Sequence, residues 1–405
     1  LQLSVIAEGT LMEMPPFPGD SKRWKPAAGR RLLIFSDSRS EAATLGPSLT
    51  GNHERQLFRA LVVEGLKQLG EGNTTEGARQ IAELEQTLAI VPEVAKGAIQ
   101  SKIDELTAKR EESVVGRSPS DFVEKLKSCK RVNEFFDRKE GERHNVSKWS
   151  QKMFELNRTA VCATFSHRLS QELARKTLWP DLNLESAGFL ELVYPNIESI
   201  QLPPDYLGKL PSAELRTQLN KSFPFFVGMV LDHVRDLGGI TLGSDVIDSE
   251  YGIGGGYIGK WVSLESRFKN SLLPLITTRA DSLLGNFTRL YLSEAGMINP
   301  GEVEGKELLE AFFKQLYENK RLGRIDWLEF DQRQSDNNLS ALAMRLQFSA
   351  LRIRRPLALY QCEESGQVWP RSALGCHLRS KRSSLKPISP EQLAENPRIA
   401  RVHRE

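Results

Sequence analysis

The chain has 405 residues, 40% of them hydrophobic and 26% charged, with a formal net charge of only +3. Those fractions belong to a globular protein able to bury real cores in two or three domains, and so small a net charge does not by itself call for a nucleic-acid partner. Four cysteines, Cys129, Cys162, Cys362 and Cys376, exclude a disulfide scaffold and suit a reducing, cytoplasmic setting.

No run of 18 apolar residues is present, so no membrane span is expected. The chain starts at Leu1 and ends in the charged stretch Arg398 to Glu405, and it reads as part of a longer polypeptide. Residues 1–30, with Pro15, Pro16, Pro18 and Pro26, read as an extended connector. Residues 31–70 open with the apolar run Arg31 to Phe35, typical of a buried strand, followed by the polar turn Ser36-Asp37-Ser38-Arg39. Ser38 with Glu41 three residues on fits a capping box, and Ala42, Ala43 and Leu45 suit a short helix, so the segment reads as half of a parallel α/β unit. A second helix is expected from Asn52 to Leu69.

Residues 71–178 read as a charged helical insertion. Ile81, Leu84, Leu88, Val94, Ile99, Ile103 and Leu106 carry a helical pattern, which Pro92 should break. Residues 179–348 read as a proline-rich loop to Pro211 and then a helical, winged-helix-like domain. Helices are expected at Phe223 to Leu237, Leu308 to Leu316 and Asn338 to Phe348. Residues 349–405 read as a basic segment, Ala350 to Tyr360, that suits a two-stranded ribbon or an edge strand at Pro356, followed by a knuckle-like segment from Cys362 to Cys376. The predicted fold class is mainly α with a small α/β portion.

A strand that ends in a polar turn at a helix start presents backbone N–H groups and short hydroxyls to an anion. Ser36, Asp37, Ser38 and Arg39 are therefore candidate nucleic-acid contacts, although an ordinary capped turn has the same composition. Twelve Lys/Arg against five Asp/Glu from Met344 onward make the end of the chain a phosphate-facing surface or a solvated tail. Arg352, Arg354 and Arg355 are the candidate contacts there.

The stretch GRRLLIFSDSRSEAATLGPSLT, residues 29–50, resembles motif IV of superfamily 2 DEAD/DEAH-box helicases. It is closest to the large bacterial group of MrfA-like repair helicases and the helicases of the Druantia and DISARM phage-defence systems, with Ser40 where Gln is more usual. The resemblance implies the opening of a second RecA-like domain with the Ser36–Arg39 turn on the nucleic-acid track. It further implies DNA as partner, together with the remaining helicase domains of the same polypeptide. The chain carries no Walker B acid pair, motif III, motif V or motif VI. On that reading ATP and Mg²⁺ are held elsewhere in the parent, and no catalytic residue lies in this chain.

Two segments offer other chemistry. Gly254 to Lys260 fits GxxxxGK, but Trp261 cannot supply the hydroxyl that a phosphate-binding loop needs for Mg²⁺, and no buried strand is expected before it. Cys362 and Cys376 sit as in a zinc-ribbon knuckle, with Ser365 in place of a second thiolate and His377 adjacent to Cys376. Two thiolates and one imidazole fall short of the four ligands of a closed zinc site, so a metal-free knuckle is expected. The histidines show no triad or metal spacing. The alternative to a helicase part is a non-enzymatic helical protein-interaction module, which the charged helices of residues 71–178 would serve.

Overall fold

The computed structural model describes residues 58–66, 74–88, 93–127, 184–241, 259–265, 272–276, 282–334, 340–363, 366, 368–378, 385–389 and 392–393, with Met14, Pro15, Cys129 and Leu169 besides. The strand and helix expected at 31–50, and the connector at 1–30 apart from those two residues, lie outside this set. The chain divides into two units: residues 1–71 with 121–165, and residues 72–120 with 166–405.

In the first unit a helix over residues 58–66 (α1) buries Phe58, Leu61, Val62 and Leu66. A Cβ on Gly65 would stand 2.6 Å from Leu126, so its bare backbone sets how closely the Phe122–Leu126 stretch approaches.

The second unit opens with two helices, Thr74–Leu88 (α2) and Glu93–Val115 (α3), that pack together on either side of Pro92, where the sequence predicts a break. Ile81 and Ile103 are buried in this hairpin, while Arg79–Glu83 and Lys102–Glu105 pairs line its solvated faces. Pro119–Lys127 (α4) follows and runs on into the first unit. Arg117, just beyond α3, exchanges both backbone hydrogen bonds with Ile353, at 2.9 and 2.7 Å.

The centre of the second unit is Ala213–Asp236 (α6), preceded by the short Pro204–Lys209 (α5), which starts on prolines at its N-cap and N1 positions. Ser212 caps α6 by accepting from the Leu215 N–H at 3.1 Å. On its buried face Phe226 stacks with Phe223 of the same helix and with Phe287 and Tyr291 of Leu283–Glu294 (α7), and Phe312 of Glu302–Arg321 (α8) meets Phe226 edge-on. Tyr291 keeps its hydroxyl satisfied by Ser222, 2.7 Å away.

Against this helical layer lies a five-stranded mixed sheet. Its strands are Ile240–Thr241 (β2), Trp261–Ser263 (β3), Leu272–Pro274 (β4), Leu328–Gln334 (β5) and Ser340–Gln347 (β6). β6 is central: it pairs antiparallel with β5 and β3 and parallel with β2, while β3 carries β4 in parallel. Glu191–Val193 (β1) pairs with Arg352–Arg354 (β7). A small three-stranded antiparallel ribbon joins Leu359–Cys362 (β8), Val368–Trp369 (β9) and Leu385–Ile388 (β10), with Arg371 just past β9.

Three expectations are corrected here. Among the described residues the fold is mixed α/β, about 52% helix and 19% strand with a curled mixed sheet, rather than mainly α, and no described sheet is the parallel sheet of a RecA-like domain. Asn338 to Phe348 contributes a strand rather than a helix. Leu342, Met344 and Leu346 alternate with Ala343, Arg345 and Gln347, and period two overrides the helix-favouring Ala, Leu and Met. Nor is Ala350 to Tyr360 a ribbon folded on itself, because Pro356 separates β7 from β8 and each pairs elsewhere.

Candidate nucleic-acid interface

The turn Ser36, Asp37, Ser38 and Arg39 lies outside the described residues. The three arginines of the basic stretch do not converge on one surface. Arg354 is held inside: its Nε donates to Glu191 Oε2 at 3.1 Å and its Nη1 donates to the Val114 carbonyl in the last turn of α3. Arg352 is half-buried two residues before it, and Arg355 is exposed just past β7. Arg354 therefore ties β7 to β1 and α3 and offers little to a phosphate.

Cys362 closes β8, and Cys376 ends a tight turn in which Leu374 and Gly375 both have left-handed backbone, φ 53° and 77°. A glycine suits such a position; the leucine is strained. Burial pushes the Cys376 thiol up to about 12. His377 stacks on Trp369 with ring centroids 3.5 Å apart. Among the described residues no three His, Cys, Asp or Glu side chains are grouped to hold a metal. The ribbon is built by strand pairing and ring stacking.

Of the Gly254 to Lys260 pattern only Gly259 and Lys260 are among the described residues. A Walker loop leads from a strand into a helix, whereas here the glycine-lysine step leads into β3, with the Lys260 N–H bonded to Gly238 O at 3.0 Å.

The basic site that the structure does assemble uses the residue after that lysine. The register Val262↔Met344 sets Trp261 opposite Arg345 on the face of the sheet turned away from α6 and α8. Ala341 and Ala343 pack against the indole as small neighbours along β6. Arg345 lies 4.3 Å from the Trp261 ring centroid and Arg333 lies 4.5 Å from it. The indole is left only 9% exposed, whereas the Arg333 and Arg345 side chains remain 44% and 26% exposed. Two carboxylates share the face. Asp331 Oδ2 accepts from Arg333 Nη2 at 2.8 Å, while Glu329 accepts from Arg345 Nε and, at 2.6 Å, from Gln347. Burial alone would raise the Glu329 pKa, but the hydrogen bonds from Gln347 and Arg345 and the Arg345 charge outweigh it and hold the carboxyl below its ordinary value. The sequence signal for this site was the alternation in Leu-Glu-Phe-Asp-Gln-Arg-Gln, 328–334, which places Glu329, Asp331 and Arg333 on one face.

A second charged cluster is internal. Arg235 Nη2 donates to Glu185 Oε2 at 2.6 Å and to Asp232 Oδ1 at 2.9 Å, and the Tyr194 hydroxyl donates to the same Asp232 oxygen at 2.8 Å. Arg371, from the ribbon, reaches Asp232 at 3.6 Å, Glu191 at 3.5 Å and the Leu192 carbonyl. With Arg354 the cluster holds three guanidiniums and three carboxylates. Burial drives the Tyr194 pKa up, and for Arg235 the neighbouring Glu185 and Asp232 charges overcome burial and raise it further. Burial raises the Glu185 pKa too, against the neighbouring Arg235 charge, and the ion pairs tie β1, α6 and Arg371 together.

Among the described residues no helix is long and apolar enough to cross a membrane. No protein-family profile, curated protein or solved structure matches the chain.

Proposed function

We propose that the chain is part of an ATP-dependent DNA helicase or translocase of the cytoplasm, contributing contacts to the nucleic-acid backbone while ATP and Mg²⁺ are held by other segments of the parent polypeptide. The observation that carries this reading is the Phe35-Ser36-Asp37-Ser38-Arg39 corner and its flanks, residues 29–50, with their resemblance to motif IV. The basic balance after Met344 supports it, as does the arginine-bearing sheet face. A place in phage defence is carried by the same resemblance.

The test is binding of the purified chain to a labelled DNA at several salt concentrations. Binding with a steep salt dependence, weakened in an Arg39→Ala/Arg352→Ala variant, supports the reading. Arg354 is left out of that variant because its loss would disturb β1, β7 and α3. A chain that ignores DNA at low salt favours the non-enzymatic interaction module, in which the α2–α3 hairpin, with its self-paired charges, would be the docking arm. In the open reading frame of the parent, a Walker A and DExH segment upstream and a motif VI downstream are expected.

A further inference from the structure

We infer that the outer face of the mixed sheet, at Trp261, Arg333 and Arg345, binds a single nucleic-acid strand, with phosphates on the guanidinium edges and bases against the guanidinium planes. The inference rests on the helicase reading and gives that reading a second point of contact, on the sheet rather than at the motif IV corner.

The argument starts from what the indole does. A guanidinium is planar, always charged and weakly hydrated, and it stacks on an aromatic face without giving up its N–H edge. Trp261 uses its ring to hold two of them, at 4.3 and 4.5 Å from its centroid, on neighbouring strands of one sheet. Both side chains stay partly exposed while the indole beneath is almost covered. The groups presented to solvent are therefore two arginines whose long side chains have already lost much of their freedom. That pre-organisation lowers the entropic cost of binding a planar or bidentate anionic partner.

The carboxylates on the face weigh against a net positive patch. Asp331 engages Arg333 through Nη2, and Glu329 engages Arg345 through Nε, with the second Glu329 oxygen taken by Gln347. One edge of each guanidinium is thus used and its remaining donors are not part of those bonds. Lys320 lies close enough to Glu329 to help lower its pKa. With the two arginines it makes three cationic side chains against two anionic ones, a small positive excess. It suits a backbone contacted at one or two phosphates and bases held by stacking, as on other sheet platforms for single strands.

The experiment uses the whole chain and a fluorescein-labelled thymidine homopolymer, with a uridine homopolymer and a duplex of equal length as further arms. For Arg333→Gln/Arg345→Gln we expect binding to weaken about ten-fold and the salt slope to shrink by roughly 1.4, the value for two phosphates on a single strand. The melting temperature is read alongside. Should that variant not fold, ultraviolet cross-linking of the unaltered chain to a bromodeoxyuridine strand decides, with cross-links expected in residues 259–263 or 328–347. Unchanged binding by a folded double variant, cross-links only elsewhere, or equal affinity for the duplex would each overturn this site. If Arg39→Ala/Arg352→Ala weakens binding while Arg333→Gln/Arg345→Gln does not, the helicase reading stands and this inference falls. A chain that binds none of the three nucleic acids overturns both.

Discussion

Arg371 of the small ribbon passes directly over Gly228 of α6: a Cβ built on that glycine would lie 3.1 Å from Arg371 Nη1. The ribbon and the helix meet where one residue has no side chain and the other threads a guanidinium towards Asp232, Glu191 and the Tyr194 ring. In an ordinary helix interior Gly→Ala gains about 1 kcal/mol. Here the methyl must displace an arginine pinned by three partners, at a cost of roughly 1–3 kcal/mol. Gly228→Ala is therefore expected to lower the melting temperature. A rise would show that Arg371 is free to move aside.

Removing one member of the internal cluster leaves opposite charges buried without compensation. Arg235→Ala strands Glu185 and leaves Asp232 with only Arg371 and the Tyr194 hydroxyl, and a loss of roughly 3–5 kcal/mol is expected in urea unfolding. Glu185→Ala combined with it should restore part of that loss. A coupling in the double-mutant cycle below about 0.5 kcal/mol would mean that the 2.6 Å pair contributes little.

Glu329 gives a pH signature. Its carboxyl is held below the ordinary value of 4.5, so the folded state favours the charged form more than the unfolded chain does. That contribution is present above pH 4.5 and is lost as pH falls through the lowered folded value. The pair is partly exposed and worth no more than about 1 kcal/mol. Glu329→Gln should flatten the acid side of a melting-temperature profile below that pH and leave Arg333 and Arg345 in place. An unaltered acid limb would contradict the assignment.

Two buried thiols should be inert in the native chain. Burial raises Cys129 to about 11 and Cys376 to about 12. At mildly alkaline pH that leaves two to three orders of magnitude less thiolate than an unshifted cysteine. Alkylation mapped by mass spectrometry should label neither residue until denaturant is added. Chelator treatment should leave the melting temperature of the ribbon-bearing chain unchanged; a fall, with zinc released, would restore Cys362 and Cys376 as ligands.

The helices were the legible part of this sequence. Pro92 marked the α2–α3 break, and the apolar stripes of α6 and α8 read directly, because helical patterns are local. The sheet was not legible in the same way. β3 and β4 are three residues each; β3 gains its identity from partners about 80 positions away in β6, and β4 gains its own only through β3. Ser340–Gln347 was misread because its residues favour helices one by one while its alternation favours a strand. The same distance hid the Trp261–Arg333–Arg345 group, whose members lie on three strands. Arg354 looked like a free cation in a basic run, and only the fold supplied Glu191 and Val114 as its partners.

The two hydrogen bonds between Arg117 and Ile353 determine where the α2–α3 hairpin can be trimmed. They add a third backbone to the β1–β7 pair, and Gly116 beside them has φ 81° with the Ile353 carbonyl 2.9 Å from where a Cβ would be. A deletion that shortens the hairpin but keeps Val114 to Arg117 preserves this three-backbone seam and the Arg354 bond to the Val114 carbonyl. One that removes them bares the Ile353 amide and carbonyl and should unzip β7 from its neighbour. The hairpin is thus a detachable arm whose hinge belongs to the body.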